Sequence, residues 1–144
     1  HVLDAVLTAK RAYAAEHDVQ VSYVADGALL EFLRPLDLTA IVGNAIDNAV
    51  EAASRLPSRD ARLVRLALFA QDDFVMLRVE NTFDGTVDRE GERIVSRKRG
   101  EGHGYGLRNI ETATTAYGGT VSIDAGGEWF SLRLLFPRGA RRAG

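Results

Sequence analysis

Two asparagines four residues apart, Asn44 and Asn48, sit in a stretch at 39–53 that could do chemistry. The apolar residues Ile41, Val42, Ala45, Ile46, Ala49, Val50 and Ala53 recur around them at three- and four-residue spacing. That pattern predicts a helix with one buried face, and on it the two amides point the same way. Amide side chains compete for backbone hydrogen bonds and form helices less readily than Ala or Leu, so an aligned pair beside a buried stripe asks for a reason. Binding a polar ligand is one reason; two solvated amides on an exposed face is the alternative. A second chemical feature lies downstream, where Gly102, Gly104 and Gly106 surround His103 and Tyr105 and lead directly into Leu107-Arg108-Asn109-Ile110. Glycines let backbone N–H groups approach a phosphate, and the first turn of a following helix adds unpaired donors and a positive dipole end. Between the two features runs a strand pattern ending in Val79-Glu80-Asn81, then a long polar stretch.

The blocks GNAIDNAVEAA at 43–53, VENTFDG at 79–85 and GHGYGLRNI at 102–110, in this order, resemble the N, G1 and G2 boxes of the GHKL nucleotide-binding superfamily. They are most similar to the catalytic domain of bacterial sensor histidine kinases, particularly the peptide-sensing quorum type and its relatives. The resemblance implies a Bergerat (GHKL) fold, ATP and Mg²⁺ as ligands, and an ATP lid at about residues 82–103. It also implies Asn48 as a direct Mg²⁺ ligand and Asn44 as the residue that orients phosphate or metal-bound water. Members that hydrolyse ATP carry a Glu at the position of Asn44, and an amide cannot act as that base. The substitution disfavours a gyrase-like or Hsp90-like ATPase and matches kinases whose nucleophile is the imidazole of a partner domain. Asp47 is read as a solvated or helix-paired charge, with a place near the metal as the alternative.

The G1 block departs from the family's Asp-x-Gly-x-Gly. Asn81 stands at the Asp position and Phe83 at the first Gly, leaving Gly85. An Asn carbonyl can still accept the adenine N6–H; the competing reading of Asn81 is a strand-end turn residue. By the same resemblance, Gly102, Gly104, Gly106 and Leu107 offer backbone N–H groups to the phosphates, and His103 bonds a phosphate or packs against the lid. One of Arg97, Lys98, Arg99 and Arg108 answers phosphate charge. Many related kinases carry a Lys three residues after the second asparagine; here that place holds Glu51.

These residues need a scaffold. Residues 2–16 read as an amphipathic helix and 19–24 as a half-buried strand. Pro35 with Asp37 or Thr39 marks the start of the helix bearing Asn44 and Asn48, which should stop near Leu56-Pro57. Residues 63–69 and 74–79 read as a hairpin around Asp72-Asp73. From 82 to 102 glycines and charges replace apolar residues, with Ile94-Val95 as the seed of a short ordered piece. A second ligand-contacting helix at 107–117 should end on Gly118-Gly119 as a positive-φ cap. Residues 120–124 and 128–136 then close as a hairpin, Pro137 ends the last strand, and 138–144 reads as a polar tail. The expected fold is an α/β two-layer sandwich with helices on one face of a mixed, mostly antiparallel sheet. It forms one domain at 1–140 with a tail at 141–144.

The 144 residues, 46% apolar and 26% charged, suit one globular domain with a real core. A formal charge of −2 and a pI near 5.9 show no basic excess, which argues against nucleic acid as a partner. No Cys is present, so disulfides and thiolate metal sites are excluded. No apolar run approaches the roughly 20 residues that span a bilayer. The chain starts at His1, which suggests a segment of a longer protein. Sensor kinases hold the phosphoacceptor His on a dimerising helical hairpin ahead of the catalytic domain, and no such hairpin fits here. His17 precedes a strand pattern and reads as a surface helix-end residue, while His103 belongs to the glycine turn. The resemblance thus implies a cytoplasmic domain that presents the γ-phosphate of Mg-ATP to a His on a separate domain, for relay to an Asp of a response regulator. The parent would be a membrane-anchored homodimer, and the isolated domain would autophosphorylate poorly or not at all. A degenerate nucleotide-binding scaffold and an anti-sigma-type protein serine kinase of the same fold are the alternatives.

Overall fold

In the computed structural model, which describes residues 1–90, 93–95 and 105–143, three helices cover one face of a five-stranded sheet. In chain order the elements are α1 (Val2–Glu16), β1 (Gln20–Ala25), α2 (Pro35–Ser54), β2 (Leu63–Gln71) and β3 (Phe74–Thr82). A two-stranded hairpin of β4 (Asp88–Glu90) and β5 (Arg93–Val95) follows, then α3 (Tyr105–Ala116), β6 (Thr120–Asp124) and β7 (Trp129–Pro137). The main sheet runs β1-β2-β3-β7-β6, with β1 parallel to β2 and the other pairs antiparallel. This is the expected two-layer sandwich with a mixed, mostly antiparallel sheet. The small hairpin forms around Ile94-Val95, where a short ordered piece was expected.

Alternation in the strands decides which face the helices cover. Val64, Leu66 and Leu68 of β2, Val75, Leu77 and Val79 of β3, and Leu132, Leu134 and Phe136 of β7 are all buried. Against them α2 lays Leu38, Ile41, Val42, Ala45, Ile46, Ala49, Val50 and Ala53. Fully burying one such Leu, Ile or Val contributes about 1.5–3 kcal/mol, so this single interface anchors the layer. Helix α2 packs on β2 and β3 below it and on α1 and α3 at its sides.

The ends of the elements differ in detail from the sequence reading. Pro35 occupies the first turn of α2 as expected, but neither Asp37 nor Thr39 caps it; the cap residue is Arg34, without a side-chain bond. Thr39 Oγ1 instead donates to the Pro35 carbonyl oxygen at 2.9 Å. The pair Gly118-Gly119 divides two tasks. Gly118 adopts φ +72°, which suits glycine at a helix end. Gly119 is required by space, since a Cβ there would lie 2.8 Å from Thr114 Cγ2, 2.9 Å from Phe136 Cδ1 and 3.0 Å from the Leu135 carbonyl oxygen. The tail is not a loose polar segment. Ala140 is buried, the Ala143 N–H donates to the Ala116 carbonyl oxygen at 2.6 Å, and Arg142 Nε lies 3.4 Å from Asp37 Oδ2.

Tyr117 closes the helical layer. Its buried hydroxyl donates to Asp37 Oδ2 at 2.5 Å and accepts from the Arg34 N–H at 3.1 Å, tying the end of α3 to the start of α2. Burial, reinforced by the bond to Asp37, raises its pKa above the ordinary 10.0. The folded state therefore favours the neutral hydroxyl, and the resulting stabilisation is complete below pH 10.0 and lost as pH rises through the folded value. Tyr117→Phe should lower the unfolding free energy by about 1–3 kcal/mol near neutral pH, because two polar groups lose their partner. In chemical denaturation, the gap between wild type and variant should narrow once pH exceeds 10.0.

Candidate functional site

The helix-facing row of β3 runs Val75, Leu77, Val79 and then Asn81, so strand alternation carries an amide into the floor beneath α2. Asn81 is 2% exposed, and its Nδ2 donates to the Thr82 carbonyl oxygen at 3.1 Å. That bond orients the side chain and leaves Oδ1 as its accepting end. The strand end around it is locked. Thr82 Oγ1 donates to the Ala61 carbonyl oxygen at 2.6 Å and accepts the Leu63 N–H at 3.0 Å. Phe83, where the family's first glycine would stand, is buried edge-on against Phe130 with centroids 5.9 Å apart. Its N–H donates to the Glu128 carbonyl oxygen at 3.2 Å. Asp84 Oδ1 then accepts the Thr86 N–H at 2.9 Å, and the exposed Gly85 takes φ +88°, a conformation that L side chains rarely adopt.

On α2, Asn44 is half-buried, and one turn later both amide atoms of Asn48 are inaccessible and have no hydrogen-bond partner among the described residues. Leaving a buried amide unpaired costs about 1–3 kcal/mol, and native structures rarely do so without a functional reason. The acids of α2 are treated differently. Asp47 pairs with Lys10 Nζ of α1 at 2.8 Å, Glu51 with Arg55 at 3.7 Å, and Asp37 with Tyr117 and Arg142. Asp47 is therefore the paired charge, and Glu51, at the place of the expected lysine, is offset locally. The helix thus offers a buried, neutral and unsatisfied amide flanked by compensated carboxylates.

Gly106 and Leu107 are buried in the first turn of α3, while Arg108 is exposed there. Ile110, Thr114 and Tyr117 carry the buried side of that segment inward. Because α2 packs on both β3 and α3, the elements bearing Asn44, Asn48, Asn81, Gly106 and Leu107 are direct neighbours. Gly102, His103 and Gly104, together with Arg97, Lys98 and Arg99, lie outside the described residues. His17 is the exposed residue at the end of α1, as its sequence context predicts, with its ring 4.8 Å from that of Tyr13. His1 caps α1, its Nδ1 accepting the Leu3 N–H at 3.2 Å. Among the described residues no cluster of three or more His, Cys, Asp and Glu could hold a metal ion.

A family profile described as a GHKL domain matches residues 33–137. The chain belongs to the GHKL family. This GHKL domain is 28% identical over 147 residues to a probable C4-dicarboxylate sensor kinase of Halalkalibacterium halodurans, covering 95% of the chain and 27% of that protein. It is 31% identical over 109 residues to the sensor histidine kinase GtrS of Pseudomonas aeruginosa, covering 70% of the chain and 21% of that protein. The chain thus spans about a quarter of the length of these relatives. The solved catalytic domain of histidine kinase ThkA superposes with a TM-score of 0.73 at 14% identity, over 95% of this chain and 92% of that one. The mycobacterial sensor histidine kinase MprB gives 0.68 at 20% identity, over 98% and 93%. At these identities the structural likeness is one of fold.

Lys10, Tyr117 and Phe83 were not assigned these roles from sequence, because their partners lie on other elements. The unpaired amide carries its own prediction. Asn48→Leu keeps the γ-branched heavy-atom outline, with bulkier methyls, and removes the unmet donors and acceptor, so where the larger group is accommodated it should raise the unfolding free energy of the unliganded protein by about 1–2 kcal/mol. Urea denaturation reads this directly, and a loss of stability would mean that the amide is satisfied without ligand.

Proposed function

We propose that this GHKL domain is the ATP-binding catalytic domain of a sensor histidine kinase, presenting the γ-phosphate of Mg-ATP to a histidine on a separate dimerisation domain. The observation that carries the reading is the buried, unpartnered amide of Asn48, on the helix that packs over Asn81 and beside α3. Mg²⁺ is a hard ion that takes a few protein oxygens and fills its octahedron with water and phosphate oxygens. Asn48 Oδ1 would supply one such oxygen, which fits an amide without a protein partner. The bound metal neutralises phosphate charge. Asn44 would orient a phosphate oxygen or metal-bound water through its amide; it has no basic atom with which to activate water, so phosphoryl transfer goes to an imidazole rather than to solvent. Oδ1 of Asn81 would accept the adenine N6–H, and the backbone donors of Gly106 and Leu107, with those of Gly102 and Gly104, would cradle the phosphates.

The acceptor His and the response-regulator Asp that receives the phosphoryl group would belong to other domains of a homodimeric parent kinase and to its partner protein. No helix among the described residues is long and apolar enough to cross a membrane, and any anchor would lie elsewhere in the parent. A second reading, a nucleotide-free scaffold, has one observation in its favour: Phe83 is built into the core where the family carries a glycine.

Calorimetric titration with a non-hydrolysable ATP analogue, with and without Mg²⁺, separates these readings. The kinase reading expects saturable binding that Mg²⁺ strengthens, and Asn48→Ala should lose roughly 10–100-fold in the Mg²⁺ titration and much less without metal. Equal losses in both titrations would remove the metal role, and no binding by folded protein would favour the scaffold. Asn81→Ala should reduce the preference for the ATP analogue over its GTP counterpart, and an unchanged preference would return Asn81 to a structural turn.

A further inference from the structure

Helix α1 packs beside the motif-bearing helix and makes an ion pair to it through Lys10. Lys10 Nζ donates to Asp47 Oδ2 at 3.1 Å and lies at ion-pair distance, 2.8 Å, from Oδ1, so the ammonium sits against the carboxylate. One turn earlier on α2, Gly43 leaves room for the lysine stem; a Cβ there would stand 3.4 Å from Lys10 Cε. One turn along α1, the ring of Tyr13 faces the same ammonium with its centroid 5.7 Å away. The ion pair is about three-quarters buried, with side-chain exposures of 27% and 28%. A glycine groove, an ion pair and an aromatic face therefore converge on the residue that precedes Asn48.

We propose that Lys10 is a positioning residue for the nucleotide site, cancelling the Asp47 charge beside Asn48 and holding that turn of α2 in place. The inference rests on the nucleotide-binding reading above. A nucleoside triphosphate is a polyanion, and a largely buried carboxylate next to its metal ligand repels it unless a cation sits on that carboxylate. Lys10 belongs to α1, outside the segment matched by the family profile, so nucleotide affinity depends on the docking of an element that precedes the motifs. A displacement of α1 exposes the Asp47 charge to the phosphates.

The test is a double-mutant cycle on the full chain, titrating a non-hydrolysable ATP analogue with and without Mg²⁺ into wild type, Lys10→Gln, Asp47→Asn and the double variant. Lys10→Gln should weaken binding on the order of tenfold, and more for the metal-free nucleotide, which carries the larger negative charge. Asp47→Asn should bind as well as wild type or better, and the double variant should follow Asp47→Asn rather than Lys10→Gln. That asymmetry distinguishes charge compensation from a merely structural bridge, whose two halves would lose affinity alike. Equal losses in the two single variants, or wild-type affinity in Lys10→Gln, would overturn the inference while the nucleotide site stands. The opposite metal dependence of Asn48→Ala keeps the two roles separate, and a wild-type chain that binds no nucleotide would overturn both.

Discussion

Helix α2 must satisfy two demands at once, and the rest of the molecule is arranged around that constraint. Its apolar side, from Leu38 to Ala53, is buried against β2 and β3 and supplies much of the contact between the layers. The same turns hold Asn44 and Asn48, the latter with an amide that the protein leaves unpaired. A helix anchored this firmly can carry an unfavourable polar group without unfolding, because one unmet amide of about 1–3 kcal/mol is small against several buried Leu, Ile and Val side chains. A loop held by fewer contacts would rotate to satisfy the amide with backbone or water. The firm packing of α2 is thus what lets the fold keep an unsatisfied amide.

Charge is managed on the same helix. Each of its acids, Asp37, Asp47 and Glu51, has a partner, supplied by Tyr117 with Arg142, by Lys10 and by Arg55 respectively. The pairs differ in physical character. Glu51–Arg55 is an ordinary i,i+4 surface contact of small energetic value. Lys10–Asp47 and Tyr117–Asp37 join different elements, so each also fixes geometry: the first between α1 and α2, the second between α2 and the end of α3. The start of α2 is held by Tyr117 and the middle by Lys10, with Asn44 and Asn48 around and beyond the second clamp.

The altered G1 segment shows how a departure from the family pattern is absorbed. Phe83, at the place where the resemblance to the G1 box leads one to expect a glycine, is an apolar anchor against Phe130, while Gly85 takes a positive φ. β3 alternation delivers Asn81 to the helix-covered side, where it is buried. The side chain delivered there is polar and uncharged.

What the sequence determined by itself was whatever repeats over a few residues. The 3.6-residue period located α1 and α2, the glycine turn and Gly118-Gly119 bounded α3, two-residue alternation located the sheet strands, and the spacing of Asn44 and Asn48 already put both amides on one side of α2. The motifs sufficed for the two-layer fold and the family resemblance, because both depend on local pattern and order along the chain. Tertiary structure decided how groups distant in sequence meet. Lys10 and Asp47 are separated by 37 positions and Tyr117 and Asp37 by 80, and no local period encodes which lysine reaches which carboxylate. The isolation of Asn48 likewise became visible only once its neighbours were placed, since an unpaired amide is defined by what surrounds it. The tail at 138–143 has the polar composition that the sequence shows, but Arg142 and Ala143 find partners at the start of α2 and the end of α3, which only the folded chain brings near.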